Sequence, residues 1–174
     1  MAKYIAFLRG INVGARVIRM AELKVCFERL GLDDVRTVLQ TGNVIFRSEA
    51  TAAELKQRVE AALTETFHYP AKVQVYAANA LRQIVLHSPF TDDSTHHTYI
   101  VFFEDDLAER VAAEVSGLDP ELETIAPGAG VIYWRVLICM TLKTTFAKYL
   151  TKAAYKHSNT NRNIKTLRKI INQV

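Results

Sequence analysis

The sequence predicts an α+β fold in which a βαββαβ unit is made twice and is followed by C-terminal helices. Three observations predict it. Strand-like and helix-like runs alternate in that order from Tyr4 to Tyr76, the same runs return from Tyr99 onward, and a near-constant spacing relates the copies.

Each element can be justified from its residues. Tyr4–Leu8 is a short apolar run rich in the aromatic and β-branched side chains that strands favour. Met20, Leu23, Phe27 and Leu30 recur at helical spacing and stop at Gly31, a residue suited to ending a helix. Val35–Leu39 and Val44–Phe46 are β-rich runs joined through Thr41-Gly42-Asn43, which reads as a hairpin turn. Thr51-Ala-Ala-Glu54 is a capping box, and Leu55, Val59, Leu63 and Phe67 form one face of the helix it opens. Lys72–Tyr76 closes the unit as a strand, which completes the ferredoxin-like order. Asn79–Leu86 reads as a connecting helix that ends ahead of Pro89.

The second copy follows the first closely. Tyr99-Ile-Val-Phe-Phe103 repeats Tyr4-Ile-Ala-Phe-Leu8, Leu107-Ala-Glu109 repeats Met20-Ala-Glu22, and Val131-Ile-Tyr133 repeats Val44-Ile-Phe46. Gly117-Leu-Asp119 repeats Gly31-Leu-Asp33, and Asp106-Leu-Ala-Glu109 reads as a second capping box. The first strands are 95 residues apart, whereas the helices and hairpins are 87 apart. The first half therefore carries eight extra residues between its first strand and first helix, in the loop Arg9–Arg19. An insertion that interrupts a repeat has no role in the repeated fold, so it is a place to look for function. It holds Arg9, Arg16 and Arg19 with no acid, and Gly10 and Gly14 permit a tight turn or close approach to a ligand. The expected organisation is residues 1–78 as the first half, 79–97 as a connecting helix and loop, 98–140 as the second half, and 141–174 as basic helices that complete it.

Composition and charge bound the class. A chain of 174 residues with 49% hydrophobic side chains can bury a substantial core. Residues 1–123 hold 13 Lys and Arg against 18 Asp and Glu, while residues 124–174 hold 9 basic groups and no acid. Such a segment attracts anions through a field that salt screens. Val131–Met140 is broken by Arg135 and falls short of the roughly 20 residues of a membrane helix. Tyr4–Leu8 is too short for a signal-peptide core, so a cytoplasmic location without a membrane partner is expected. Cys26 and Cys139 stand outside any CxxC and are both expected to be buried thiols, Cys26 on the helix face of Leu23, Phe27 and Leu30.

The C-terminal segment is the strongest chemical signal. Phe146, Tyr149, Leu150 and Ala153 predict the apolar face of a helix, and Lys148, Lys152 and Lys156 a basic stripe on another face of it. Ser158–Asn163 reads as a polar turn before a last helix bearing Ile164, Leu167 and Ile171, with Thr160, Asn161 or Asn163 as its cap. Free N–H groups at that helix start, with Arg162, would form an anion site. The competing reading is that the asparagines only cap and turn. Gln40-Thr-Gly-Asn43 is likewise a plain turn or part of a site, depending on whether it lies near the Arg9–Arg19 loop. Asp92, Asp93, His96 and His97 superficially resemble metal ligands, but adjacent histidines on an extended segment point to opposite faces, so no metal site is expected. Glu104, Asp105 and Asp106 suit a helix start, where the dipole favours acids. The sequence carries no GxSxG, Walker A or GxGxxG pattern, and no RNP-type aromatics mark an RNA-binding sheet.

Three motifs add a resemblance. Leu8-Arg9-Gly10-Ile11-Asn12-Val13-Gly14, Leu39-Gln40-Thr41-Gly42-Asn43-Val44, and Thr160-Asn161-Arg162-Asn163 with Thr166 together resemble the signatures of the domain of unknown function 1697 family. The resemblance runs from the first strand to the last helix. It implies a cytosolic bacterial protein of two ferredoxin-like halves and lends no activity. Many members have Gly and Lys after the first motif where this chain has Ala15 and Arg16. Many also have Trp where this chain has Ile164, which weakens a stacking role there.

These readings predict a non-enzymatic protein that binds an anionic ligand, either nucleic acid or a phosphorylated molecule, without a cofactor. Ligand binding is expected at Arg9, Gly10, Asn12, Gly14, Arg16, Gln40, Asn43, Asn161, Arg162 and Asn163, with Arg9 and Arg162 gripping one anion. A polyanion surface is expected at Lys143, Lys148, Lys152, Lys156, Lys165, Arg168 and Lys169. Two alternatives stay open. One is an enzyme acting on a small phosphorylated or carboxylated metabolite, with Asn12, Gln40 or Asn163 orienting it, although no base or nucleophile is evident. The other is an interaction module whose basic helix docks an acidic protein.

Overall fold

The computed structural model describes residues 1–12, 14, 16–91, 93–104 and 106–174; Val13, Ala15, Asp92 and Asp105 lie outside the described residues. The chain forms two units, Met1–Arg82 with Ile170–Val174, and Gln83–Lys169. The elements of the first half are β1 (Ala2–Arg9), α1 (Met20–Arg29), β2 (Asp33–Val38), β3 (Asn43–Ser48), α2 (Ala52–Phe67) and β4 (Lys72–Ala77), and α3 (Ala78–Leu86) leads on from them. The second half repeats the order as β5 (His96–Phe103), α4 (Leu107–Glu114), β6 (Glu123–Gly128), β7 (Val131–Leu137), α5 (Thr145–Leu150) and β8 (Asn159–Asn163), followed by α6 (Ile164–Ile171). Each half builds a four-stranded antiparallel sheet, ordered β2-β3-β1-β4 in one and β6-β7-β5-β8 in the other. Equivalent strands occupy equivalent places, so the protein is a duplicated ferredoxin-like α+β fold.

Alternation explains the first core. Tyr4, Ala6 and Leu8 of β1 point to the helix side, where Val44 and Phe46 of β3 join Leu23 and Phe27 of α1 and Leu55, Val59 and Leu63 of α2. Ile5, Phe7 and Ile45 point to the opposite side and are buried as well. A strand buried on both faces reads as a continuous apolar run, which is why Tyr4–Leu8 shows no polar alternation. The Thr51 capping box forms as expected, each of Thr51 and Glu54 accepting the other's backbone N–H.

The second core uses the same plan with one buried acidic side chain. Val101, Phe103, Ile132, Trp134 and Val136 pack with Ala108 and Val111 of α4 and with Phe146 and Leu150 of α5. Glu123, only 2% exposed, accepts the Trp134 indole N–H at 3.0 Å and the Phe146 backbone N–H at 2.9 Å. The last acidic side chain in the sequence thus satisfies a donor in the first turn of α5, beside the Thr144 side chain that accepts from Ala147 N–H.

Four expectations are corrected. The polar stretch Ser158–Asn163 is not a turn: Asn159–Asn163 is strand β8, paired from Phe103 opposite Asn159 to Tyr99 opposite Asn163. The basic helix is shorter than its periodicity suggested: it ends at Leu150, whose O accepts from the Asn159 side chain at 3.1 Å, and the same amide donates at 2.7 Å to Tyr155 O in the turns that follow. Lys152 and Lys156 therefore lie in the following turns, and Ala153 is exposed while Tyr155 is buried. Asp106 sits at the N-cap of α4 but makes no side-chain capping bond. Cys26 is buried at 4% exposure, whereas Cys139 is exposed, since β7 ends at Leu137 and the chain leaves the sheet through a positive-φ turn at Cys139.

Candidate anion-binding surfaces

In the first unit the inserted loop is anchored at several points. Ten residues, 10–19, separate β1 from α1, against three, 104–106, between β5 and α4. Ile11 and Ile18 drop into the core, and Ile18 N–H donates to Ile11 O at 3.3 Å, which closes the loop at its base. Gly10 and Gly14 hold φ of 68° and 63°, values that L side chains rarely adopt. Arg16 reaches across the loop, donating to Gly10 O at 3.1 Å with its guanidinium 4.4 Å from the Tyr69 ring centroid. Burial pushes the Tyr69 phenol pKa up, and its buried hydroxyl has no hydrogen-bond partner among the described residues.

The loop and the hairpin are neighbours, a relation the sequence alone did not reveal. Asn12 donates to Gln40 O at 2.8 Å, and Leu8 N–H donates to Gly42 O at 2.8 Å. A Cβ on Gly42 would stand 2.9 Å from Ile11 Cδ1 and 3.1 Å from Leu8 Cβ, so the two motifs touch where only a glycine fits. Asn43 is fully buried and donates to Val38 O and Thr41 Oγ1, which makes it a fastener of the turn. Asn12, Gly14 and Gln40 are exposed, and Arg9, Gly10 and Arg16 are half-buried. The surface they form can present cationic and amide groups to an anion.

In the second unit the expected site residues divide by exposure. Lys143, Lys148, Lys152, Lys156, Lys165, Arg168 and Lys169 are all exposed. Arg162 is not: at 9% exposure it donates to Thr160 Oγ1 and Asn161 O, both at 2.8 Å, and burial pushes its pKa down to about 10. Asn161 is exposed, and Asn163 accepts from Lys165 N–H at 2.9 Å, so of the three candidate caps it is Asn163 that caps α6. Arg9 and Arg162 belong to different units.

Sequence reasoning missed one cluster, because its members come from segments more than 30 residues apart. Glu114, at the end of α4, accepts hydroxyls from Tyr149 at 2.8 Å and Tyr155 at 2.7 Å, and the Arg110 guanidinium at 2.9 Å. These three donors, the Tyr155 hydroxyl foremost, hold its pKa down to about 2. Tyr149 and Tyr155 stack with centroids 5.4 Å apart, and Lys152 Nζ lies 3.9 Å from the Tyr149 centroid.

Asp93 and His96, at the entry to β5, form a turn latch. Asp93 Oδ1 accepts from Thr95 and from His96 N–H, while Arg135 donates to Asp93 Oδ2 and also meets His96 Nδ1 at 3.0 Å. Arg135 in the first place, then Thr95, holds the Asp93 carboxyl well below the usual range. Among the described residues no group of three or more His, Cys, Asp or Glu is arranged to hold a metal ion, and no helix is long and apolar enough to cross a membrane.

Two ferredoxin-like units in tandem, the first carrying an anchored cationic loop and the second an exposed basic C-terminal segment, define a duplicated α+β protein. More particularly, the chain belongs to the family described as Protein of unknown function (DUF1697), whose model matches residues 1–133. A similar solved structure is that of the conserved bacterial protein SP0830 from Streptococcus pneumoniae. It is 26% identical, with a TM-score of 0.81, over 98% of this chain and 97% of that one. Comparison with curated proteins gives no match.

Proposed function

We propose that this protein binds anionic ligands, with nucleic acid as the polyanion to test first, through the Lys143–Lys169 surface and the Arg9–Arg19 loop. The observation that carries the reading is the exposure of seven of the eight cations, all but Arg162, in a segment that contains no acidic side chain. Such a surface attracts phosphates by charge and reads no base sequence. The loop supports the reading as a second cationic patch, with Arg16 steadied by Gly10 O and the Tyr69 ring.

The test is anisotropy of a labelled mixed-sequence DNA between about 50 and 200 mM salt, where phosphate-dominated affinity falls steeply. Replacing Lys148, Lys152 and Lys156 by Gln is expected to flatten the log–log salt slope by roughly three phosphates' worth and to weaken every sequence alike. Tight binding that ignores salt, or a slope unchanged in the triple variant, would sink the reading. We place this activity in the cytoplasm, a setting that suits two unpaired thiols. Recovery of the protein in a periplasmic fraction would count against that placement.

A further inference from the structure

The cleft between α4 and α5 differs in kind from the rest of the basic surface. It encloses about 430 Å³ and is lined by Glu114, Ser116, Thr145, Lys148, Tyr149 and Lys152. We propose that it binds a phosphorylated small molecule, a phosphate monoester held by Lys148 and Lys152. The inference rests on the anion-binding reading of the same segment and narrows it to one site and one chemical class.

Charge selects the class. The Glu114 carboxylate is committed to Arg110, Tyr149 and Tyr155, so Arg110 offsets its charge and the two lysines leave the cleft with an excess of two positive charges. A phosphate monoester carries between −1.5 and −2 near neutral pH, which matches that excess. Lys152 is held over the Tyr149 ring by a cation–π contact, which positions the ammonium without neutralising it. Ser116 adds a hydroxyl donor, while the Thr145 hydroxyl is committed to Gly117 O, so the lysines and Ser116 supply the donors.

Shape narrows the class further. The cleft falls within the range of small-molecule pockets, about 300–1,000 Å³, and leaves room for the organic part of an ester beside its phosphate. Lys152 lies over the Tyr149 ring and Tyr155 stacks with it, so both contacts compete with a nucleobase for that ring. The first half also holds a cleft between α1 and α2, of about 490 Å³, but it lies at the far end of α2 and is lined by Val25, Cys26 and Phe67 with one acid, Glu22, and one base, Arg29. It carries no pair of lysines.

The experiment is an amide-shift titration of the intact ¹⁵N-labelled chain with inorganic phosphate and with glycerol 3-phosphate, at constant ionic strength. Saturable one-site shifts confined to residues 114–117 and 144–152 are expected, with the ester binding more tightly than inorganic phosphate. Lys148→Gln with Lys152→Gln should weaken both ligands at least tenfold, whereas Lys24→Gln with Lys72→Gln, exposed lysines of the first unit, should leave them unchanged. Shifts that never saturate, or equal affinity in the cleft variant, would overturn the proposal. DNA binding with a normal salt slope but no phosphate response in the cleft would overturn this inference alone. Saturable phosphate binding without DNA binding would overturn only the polyanion reading.

Discussion

At the scale of single residues, two positions combine burial with a geometry that substitution cannot reproduce. Gly42 has φ of 73° and no room for a Cβ beside Ile11 and Leu8, whereas Gly14 has φ of 63° and open space around it. Gly14→Ala should therefore cost about 1 kcal/mol from backbone strain alone, and Gly42→Ala on the order of 3 kcal/mol because overlap is added. Urea midpoints for the pair decide it, since equal losses would mean that the contact is relieved without cost. Glu123 is the second position. Glu123→Ala leaves the Trp134 and Phe146 N–H groups buried and unpaired, at a cost on the order of 2–4 kcal/mol. A loss below about 1 kcal/mol in denaturant titration would show that solvent reaches those donors.

At the scale of elements, α4 and α5 are linked by a titratable group. Glu114 has its pKa depressed from the ordinary 4.5 to about 2 in the folded chain, first by the Tyr155 hydroxyl and then by Tyr149 and Arg110. The folded state therefore binds this proton less readily than the unfolded state. The associated stability is fully present above pH 4.5 and is lost as pH falls toward 2. Thermal midpoints of the parent and of Glu114→Gln should converge over that window, and a constant gap down to pH 2 would refute the linkage. Most elements were legible in the sequence because apolar periodicity set them: Leu55, Val59 and Leu63 mark α2, and Tyr4–Leu8 with Tyr99–Phe103 mark the central strands. Strand β8 was not legible from its own residues, since Asn-Thr-Asn-Arg-Asn offers neither β-branched bulk beyond one Thr nor alternation. Pairing with β5 imposes its conformation. A signal was nonetheless present, because the 87-residue spacing of the repeat carries Lys72, where β4 begins, onto Asn159, where β8 begins. The α4–α5 cleft had no such signal beyond the lysine spacing, as Glu114 and Lys148 meet only through the fold.

At the scale of the whole molecule, the charge divide along the sequence is not a divide between units. Residues 83–169 hold ten acids and ten bases, so the basic segment shares its unit with the acids of β5 to β6, and the excess of +4 falls in the first unit. The anion binding we propose would then depend on where cations are exposed and not on net charge. The two halves also differ in how firmly their second helices are held. The sixteen residues of α2 bury Leu55, Val59 and Leu63 behind a full capping box, while α5 has six residues and gives way to turns in which only Tyr155 of residues 151–157 is buried. Amides of residues 151–157 are expected to exchange with deuterium far faster than those of α2, and comparable protection would contradict that difference. The glycine contact between the two motifs has a kinetic consequence. The inserted loop seats on a surface that exists only once β3 has paired with β1 and brought Gly42 beside Leu8, so loop docking follows sheet formation. Gly42→Ala should accordingly speed unfolding while leaving the refolding rate nearly unchanged, the mark of a contact made after the transition state.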